Sequence, residues 1–234
     1  MYILIDWDNI AKEQREKGVE YVAQAVAVLL RDVSVTSPVR IRLYGGWYLQ
    51  KTLTRGAQEL VQEISAKFPR PMAFGKGSSV VSCEVELARS LLIDPARHLV
   101  HTFRPRETPG GVECKEPRDN GCTAGTCALS VIATAFTQNK CPVSLCRVKP
   151  RSLFVRSEQK LVDTMVASDM FYICDQKHVA VTLVSSDDDF WPPVQSILVR
   201  GVDVVQMHPL RGHRVPIDYS SRLVGGKFIQ KDLF

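Results

Sequence analysis

The stretch Met1-Tyr-Ile-Leu-Ile-Asp6 decides the fold class of this protein. Five apolar residues, rich in β-branched and aromatic side chains, lead directly into the polar segment Asp6-Trp-Asp-Asn9. A short unbroken apolar run is typical of a parallel strand that is buried on both faces, and the polar residues after it are typical of the loop at its carboxyl end. The pattern therefore predicts a first strand with a carboxylate at its tip.

Strand and helix patterns then alternate along the first half of the chain. Apolar residues recur at helical spacing over 19–30 and over 53–68, where Pro69 ends the second helix. Residues 39–44 are predicted to form a strand and are followed by Gly45-Gly46. Period-two alternation predicts a strand over 79–93, although part of that segment also fits a helix face, and a further strand is predicted over 98–104.

The second half of the chain contains a strand–helix–strand unit. A helix is predicted over 160–172, and residues 179–184 form a second apolar strand that ends in Ser185-Ser-Asp-Asp-Asp189-Phe190. A helix follows from Pro192, and a strand over 202–207 completes the unit. The alternation predicts an α/β fold with a mainly parallel, Rossmann-like sheet sandwiched by helices. The tail from Pro209 is assigned nothing beyond surface or partner contact.

A basic, cysteine-rich segment interrupts this pattern. Residues 105–125 are rich in Pro, Gly and polar side chains, as loops are, so 105–150 is predicted to be an insertion in a single domain spanning 1–234. From Arg97 to Lys160 there are eleven Lys or Arg and five Asp or Glu, a balance of +6, whereas the whole chain carries +5. The positive charge is therefore local, which favours a polyanionic partner.

The seven cysteines suggest a reducing compartment, because an odd number does not fit a fully paired secreted scaffold. Two pairs share one spacing, Cys122-x4-Cys127 and Cys141-x4-Cys146, across a connector that fits either a strand or a short helix. Four thiolates in two pairs can form a structural zinc site, although the usual spacing has two intervening residues. Buried free thiols and disulfides are the alternatives. Cys114 and His101 are spare candidate ligands.

The sequence also bears on the location of the protein. No apolar run approaches the length of a membrane span, and the first residues match a buried strand instead of a basic leader with a long apolar stretch. We therefore expect a soluble, cytoplasmic protein.

Carboxylates at the ends of two predicted strands indicate a site for a divalent metal ion. In open parallel sheets the ligand crevice lies outside the carboxyl ends of the strands, so Asp6 and the cluster Asp187–Asp189 meet if their strands are neighbours. Crowded carboxylates repel one another, and Mg²⁺ or Mn²⁺ relieves that repulsion. A bound cation of this kind promotes attack of water on a phosphodiester. The alternative is that these acids are ordinary loop and helix-capping residues.

Three segments together resemble a known family. Ile5-Asp-Trp-Asp-Asn9, Lys160-Leu-Val-Asp163 with the later Asp169, and Ser185 to Phe190 resemble, in order, the signature segments of NYN domains, relatives of the PIN nucleases. The resemblance covers roughly residues 1–90 and 152–208. It departs from the family pattern at Ser186, where Gly is common, at the additional Asp188, and in the length of the region before Lys160.

The resemblance implies a PIN-like, metal-dependent ribonuclease that uses Mg²⁺ or Mn²⁺. Its metal-binding and catalytic residues would be a set of acids assisted by one amide, namely Asp6, Asn9, Asp163, Asp187 and Asp189. Asp169 lies about 120° around the helix from Asp163, so both cannot face one ion equally. We expect Asp169 either in the site or as a structural partner of a loop or helix end. Asp8 and Asp188 are additional candidates for the site.

The basic residues are candidate contacts to RNA. Cationic side chains anchor phosphates without reading bases, so the segment is predicted to hold RNA while the acids cut it. The candidate residues are Arg147, Lys149, Arg151, Arg156 and Lys160. A solvated basic face is the alternative, as is a salt bridge between Lys160 and Asp163. The sequence does not separate RNA from DNA, or endonucleolytic from exonucleolytic cutting.

Two other function classes fit part of the sequence. Asp6-Trp-Asp8 after an apolar strand also resembles the Asp-x-Asp pair of haloacid-dehalogenase-like phosphatases, which need Mg²⁺. Those enzymes usually have Thr or Val two residues beyond the second Asp, whereas Asn9-Ile10 follows here. A non-catalytic RNA-binding module of the same fold is the other alternative, and the number of acids counts against it.

Overall fold

The computed structural model describes residues 1–33, 35, 38–75, 79–107, 115, 117–124, 127–153, 155–176, 180–210, 212 and 225–234, with the backbone alone for 104–107 and 155–158. The chain divides into two compact units. The first consists of Met1–Thr102 and Gln159–Phe234, and the second of Phe103–Glu158. The predicted insertion, 105–150, falls within the second unit.

Most of the secondary structure belongs to the first unit. Its strands are β1 (Tyr2–Asp6), β2 (Val39–Tyr44), β3 (Tyr48–Leu49), β4 (Thr52–Leu53), β5 (Arg70–Phe74), β6 (Ser79–Leu87), β9 (Ala180–Val184), β10 (Asp203–His208) and β11 (Phe228–Asp232). Its helices are α1 (Lys12–Arg15), α2 (Val19–Leu29), α3 (Arg55–Lys67), α6 (Val162–Asp175) and α7 (Trp191–Val199).

A seven-stranded sheet in the order β11-β10-β9-β1-β2-β6-β5 forms the centre of the first unit. Its strand pairs are parallel except for β5 and β6, which are antiparallel. Strand β1 is central and pairs with β2 on one side and with β9 on the other. The predicted α/β class with a mainly parallel sheet is thus confirmed.

Helices flank the sheet because successive side chains of a strand point to opposite faces. Ile3 and Ile5 of β1 belong to a core cluster that also contains buried residues of α2 and α3. Leu4, between them, belongs to a second cluster with buried residues of α6 and α7. Both clusters are almost fully excluded from solvent, which explains the unbroken apolar sequence of β1.

Two predicted strands have other bounds in the structure. The strand predicted over 79–93 ends at Leu87, and the prediction of a strand over 98–104 is wrong for residues 98–102. His101 has a φ of 63°, which an extended strand does not allow. The N–H of His101 donates to Gln50 O at 2.8 Å, and the Thr102 hydroxyl bonds the backbone of Tyr48. These contacts hold the segment as a loop, and the next strand, β7 (Phe103–Glu107), begins after it.

The tail that the sequence left unassigned returns to the sheet as β11. This strand pairs in parallel with β10, from Val204 opposite Phe228 to His208 opposite Asp232. A Cβ at Gly225 or Gly226 would lie 2.2 Å from Leu198 O or 2.1 Å from Val202 O. Only glycine permits such close passage of the chain beside α7.

The second unit contains β7 (Phe103–Glu107), α4 (Ala128–Gln138), α5 (Pro150–Leu153) and β8 (Val155–Gln159), whose last residue belongs to the first unit. Strands β7 and β8 are neighbours. The connector between the cysteine pairs, which fitted either a strand or a helix, is the helix α4. In the described part of the chain, no helix combines the length and the apolar character needed to cross a membrane.

Candidate active site

The carboxyl ends of β1 and β9 bring together acids that are far apart in the sequence. The two strands pair directly, with Ile5 opposite Val184, so Asp6 and the loop after Val184 lie side by side. An open cleft of about 270 Å³ lies at this edge, within the first unit. We call it the acidic cleft, and its lining residues are Asp6, Asp8, Asn9, Gln159, Val162, Asp163 and Asp187.

Hydrogen bonds lock the two strand-end loops together. The Ser185 hydroxyl donates to Asp6 Oδ2 at 3.2 Å, and the N–H of Asp187 donates to Ser185 Oγ at 3.1 Å. The N–H of Ser186 donates to Asn9 Oδ1 at 2.9 Å. The amide oxygen of Asn9 therefore joins the loop after β1 to the loop after β9. Ser185, which is fully buried, orients Asp6 and was not predicted as a site residue, although it opens the motif that carries Asp187.

Asp187 begins a short 3₁₀ turn, Asp188–Phe190. Its Oδ1 accepts a hydrogen bond of 2.9 Å from the N–H of Asp189, which is a capping interaction. Asp188 and Asp189 are exposed and lie outside the lining of the acidic cleft. Of the three consecutive aspartates, the structure therefore places only Asp187 in the cleft wall.

Asp6 is the most strongly perturbed acid of the acidic cleft. Its side chain is buried, and its pKa is raised to about 7, with burial as the largest of several causes. The hydrogen bond from Ser185 acts in the opposite direction, whereas the charges of Asp163 and Asp8 raise the pKa further. The folded protein thus holds a proton on Asp6 at a pH where an ordinary aspartate has lost it.

Asp163 belongs to the first turn of α6, at the edge of the acidic cleft. Partial desolvation raises its pKa, and the neighbouring charges of Asp187 and then Asp189 raise it further. Lys160 acts in the opposite direction, so its ammonium lies close enough to favour the ionised carboxylate. The acids of three chain segments therefore sense one another electrostatically, and Lys160 is part of the same charge system.

Asp8 lines the acidic cleft but is committed to other partners. The N–H of Gly46 donates to its Oδ2 at 3.0 Å, and Arg15 lies 3.2 Å from its Oδ1. These contacts fix the loop after β1 against the loop after β2. Asp8 thus has a structural function, and its charge also contributes to the raised pKa of Asp6.

Asp169 lies in the core, outside the lining of the acidic cleft. The Tyr44 hydroxyl donates to its Oδ2 at 2.6 Å, and the N–H of Leu92 donates to its Oδ1 at 2.8 Å. Arg42, also buried, lies 3.6 Å away. These contacts join α6 to β2 and to the loop after β6. Of the two roles that the sequence left open for Asp169, the structure shows the contacts of a structural partner.

The acidic cleft offers hard oxygen donors of the kind that bind Mg²⁺ or Mn²⁺. Among the described residues, however, no group of three or more His, Cys, Asp or Glu side chains is arranged so as to hold a metal ion. Mg²⁺ usually keeps several waters and binds one or two carboxylates together with substrate phosphates, so a closed protein cage is not required. The raised pKa values of Asp6 and Asp163 reflect burial and repulsion that a cation would offset. The chemical type of these oxygen donors suits such an ion, and the bound metal stays a prediction.

The other predicted site residues lie in the second unit. Arg147, Lys149 and Arg151 are at least partly exposed, and the side chain of Arg156 is outside the described residues, as is Cys114. Their contact with RNA stays a prediction.

The four cysteines of the two Cys-x4-Cys segments form no disulfide and are partly exposed. Hydrogen bonds from the backbone of Leu129 and from Cys122 lower the pKa of Cys127. No group of three metal-binding side chains includes these described cysteines. The hydrogen bond between Cys122 and Cys127 shows that these two cysteines are neighbours. The structural zinc site stays a prediction.

The raised pKa of Asp6 predicts a distinctive dependence of stability on pH in the absence of divalent metal. Because the folded state binds this proton more tightly than the unfolded state, Asp6 favours folding at low pH, and this contribution is lost as the pH rises from about 4 to about 7. Asp6→Asn should remove this pH-dependent loss of stability. It should raise the free energy of unfolding at about pH 8 by on the order of 2 kcal/mol.

Urea unfolding in EDTA at several pH values measures this effect. Asp188→Asn is the matched control, since Asp188 is exposed. The same pH dependence in the parent protein and in Asp6→Asn would show that Asp6 does not hold this proton.

Comparisons with known proteins give no further assignment. No family model matches the sequence, and no match is found among curated proteins or among solved structures.

Proposed function

We propose that this protein is a metal-dependent ribonuclease that hydrolyses RNA phosphodiester bonds in the acidic cleft. The observation that carries the proposal is the convergence of Asp6, Asp163 and Asp187, from three distant segments, on one open cleft at the carboxyl edge of a parallel sheet. Ligands bind at this edge in open α/β sheets, where the strand order reverses. The NYN and PIN-like resemblance of the same segments supports the assignment.

One or two of Asp6, Asp163 and Asp187 would hold Mg²⁺ or Mn²⁺ directly and the others through bound water, with Asn9 and Asp189 close to them. A bound divalent cation supplies charge neutralisation for the phosphodiester and a more acidic water. The side chains of this chain orient the site: Ser185 fixes Asp6, and Asn9 ties the two loops together. Lys160 supplies a positive charge beside Asp163 that suits a phosphate.

RNA is proposed as the substrate because of the family resemblance and the local basic charge. The candidate contacts outside the cleft are Arg147, Lys149, Arg151 and Arg156. Their contribution is electrostatic and independent of sequence, so binding should weaken steeply with salt.

The phosphatase alternative depends on Asp8 as a proton donor or acceptor. Asp8 is instead bonded to the N–H of Gly46 and paired with Arg15. The position of Asp163 and Asp187 in the same cleft is better explained by the nuclease. A non-catalytic RNA-binding cleft is disfavoured, because clustered carboxylates repel phosphate unless a cation is bound.

The test is incubation of the purified chain with labelled single-stranded RNA, the matching DNA, and p-nitrophenyl phosphate, each with Mg²⁺, Mn²⁺ or EDTA. We expect RNA to be cut with either metal and to stay intact in EDTA. Cleavage that persists in EDTA would refute the metal-dependent mechanism. Hydrolysis of p-nitrophenyl phosphate alone, abolished by Asp8→Asn, would establish the phosphatase instead.

A further inference from the structure

The second unit has an unusually apolar surface. Among the described residues, fifteen large hydrophobic side chains are exposed, and seven of them lie between Leu129 and Leu153. Scattered apolar residues are normal on a protein surface, whereas a concentration of them marks an interaction site. The residues of this surface do not line the acidic cleft, although Lys149 and Arg151 of the same segment are also candidate RNA contacts.

Helix α4 is the centre of this surface. It has eleven residues, all described, and only Ala135 is buried. Val131 and Ile132 are about half exposed, at 52% and 48%. A helix that is apolar on a face without a partner gains little from packing, which is the main source of helix stability in proteins. The exposed face of α4 is therefore suited to packing against another element.

A groove lies between α4 and the segment that contains α5. It has a volume of about 220 Å³ and adjoins a second hollow of about 460 Å³ along the same helix. The two share Val131, Ala135, Cys141 and Pro142 in their walls. We call them together the apolar groove. Helix α4 is about 16 Å long, so the apolar groove matches about three turns of a bound helix.

Among the described residues, the lining of the apolar groove includes one cation, Lys140, and no carboxylate. From Asn120 to Ser157 the sequence contains five Lys or Arg and no Asp or Glu. Lys140 lines the second hollow, and Lys149 is exposed beside the groove residue Val148. Opposite charge across an interface favours encounter and excludes wrong partners. The occupant should therefore carry acidic residues beside its apolar ones.

We propose that the apolar groove binds an acidic amphipathic helix of a partner protein. Apolar side chains at positions i, i+3 or i+4 and i+7 would fill the groove, and flanking Asp or Glu would face Lys140 and Lys149. RNA fits this surface less well, because its phosphates gain nothing from aliphatic walls such as those of Val131 and Leu153.

The test is a selection of displayed random peptides, each of about four helical turns, on the full-length chain. We expect the enriched peptides to be acidic and to carry the helical apolar spacing. Ile132→Asp and Val148→Asp should each weaken their binding by at least about tenfold, as loss of a central apolar contact does. Lys149→Glu should also weaken it and reduce its salt dependence.

Val143→Asp is the matched control, since Val143 is 66% exposed in the same unit but does not line the apolar groove. Binding by this variant should equal that of the parent chain, and circular dichroism checks that all the variants are folded. Enriched peptides without acidic bias, no enrichment at all, or equal binding to Ile132→Asp would overturn the proposal.

Two other occupants give distinct results. A dimer of the parent chain that Ile132→Asp dissociates in solution would overturn the proposal in favour of a second copy. An RNA affinity that falls as much in Ile132→Asp and Val148→Asp as in Lys149→Glu would overturn it in favour of RNA. Neither result depends on catalysis in the acidic cleft.

Discussion

Asp187→Asn should lower the rate of RNA cleavage by about 100-fold or more, while the protein stays folded. Asparagine has nearly the same shape and still accepts the capping hydrogen bond that Asp187 Oδ1 receives from Asp189. The substitution therefore removes charge from the wall of the acidic cleft and little else. Loss of a residue that only supports a metal ligand costs about 10–100-fold in activity, so loss of a ligand should cost at least as much.

Asp188→Asn is the control, because it removes the same charge from the adjacent, exposed residue. Single-turnover cleavage of labelled RNA at several Mg²⁺ concentrations compares the two variants with the parent. We expect Asp187→Asn to need more Mg²⁺ as well as to react more slowly. An equal loss in both variants would assign the effect to net charge, and unchanged cleavage in Asp187→Asn would remove Asp187 from the mechanism.

Asp169→Ala should lower the free energy of unfolding by about 3 kcal/mol, because it removes the buried partner of Arg42, which keeps the exposed carboxylate of Glu86 at 3.2 Å. The side chains of Asp169 and Arg42 are 1% and 4% exposed. The substitution also strands the hydroxyl of Tyr44 and the N–H of Leu92 inside the protein. Burial raises the pKa of Asp169, and the charge of Arg42 acts in the opposite direction. Arg42 therefore stabilises the ionised form of Asp169.

Asp175→Ala, on the same helix, is the matched control for this loss. Asp175 pairs with Arg200 at 3.2 Å, but its side chain is 68% exposed, so its removal should cost no more than about 1 kcal/mol. Tyr44→Phe removes a single hydrogen bond and should fall between the two. Urea unfolding of the three variants measures the order, and equal losses for Asp169→Ala and Asp175→Ala would contradict the structural role of Asp169.

The strands that frame the acidic cleft were predictable because their signals are local. β1 and β9 are unbroken apolar runs that end in polar residues, and the structure buries both on two faces. Strand β11, with the sequence Phe-Ile-Gln-Lys-Asp, has no such signal, since it lies at the sheet edge and is only partly buried. Its place depends on pairing with β10 and on the passage of Gly225 and Gly226 beside α7.

By itself, the sequence determined which segments carry acids and the α/β class, because period and composition are properties of neighbouring residues. Only the tertiary structure decided which acids share a cleft. Asp163 and Asp169 are six residues apart on one helix, yet one faces the acidic cleft and the other pairs with buried Arg42. Strand order brings Asp6 beside Asp187, and strand order follows from burial and pairing between segments that the linear pattern does not relate.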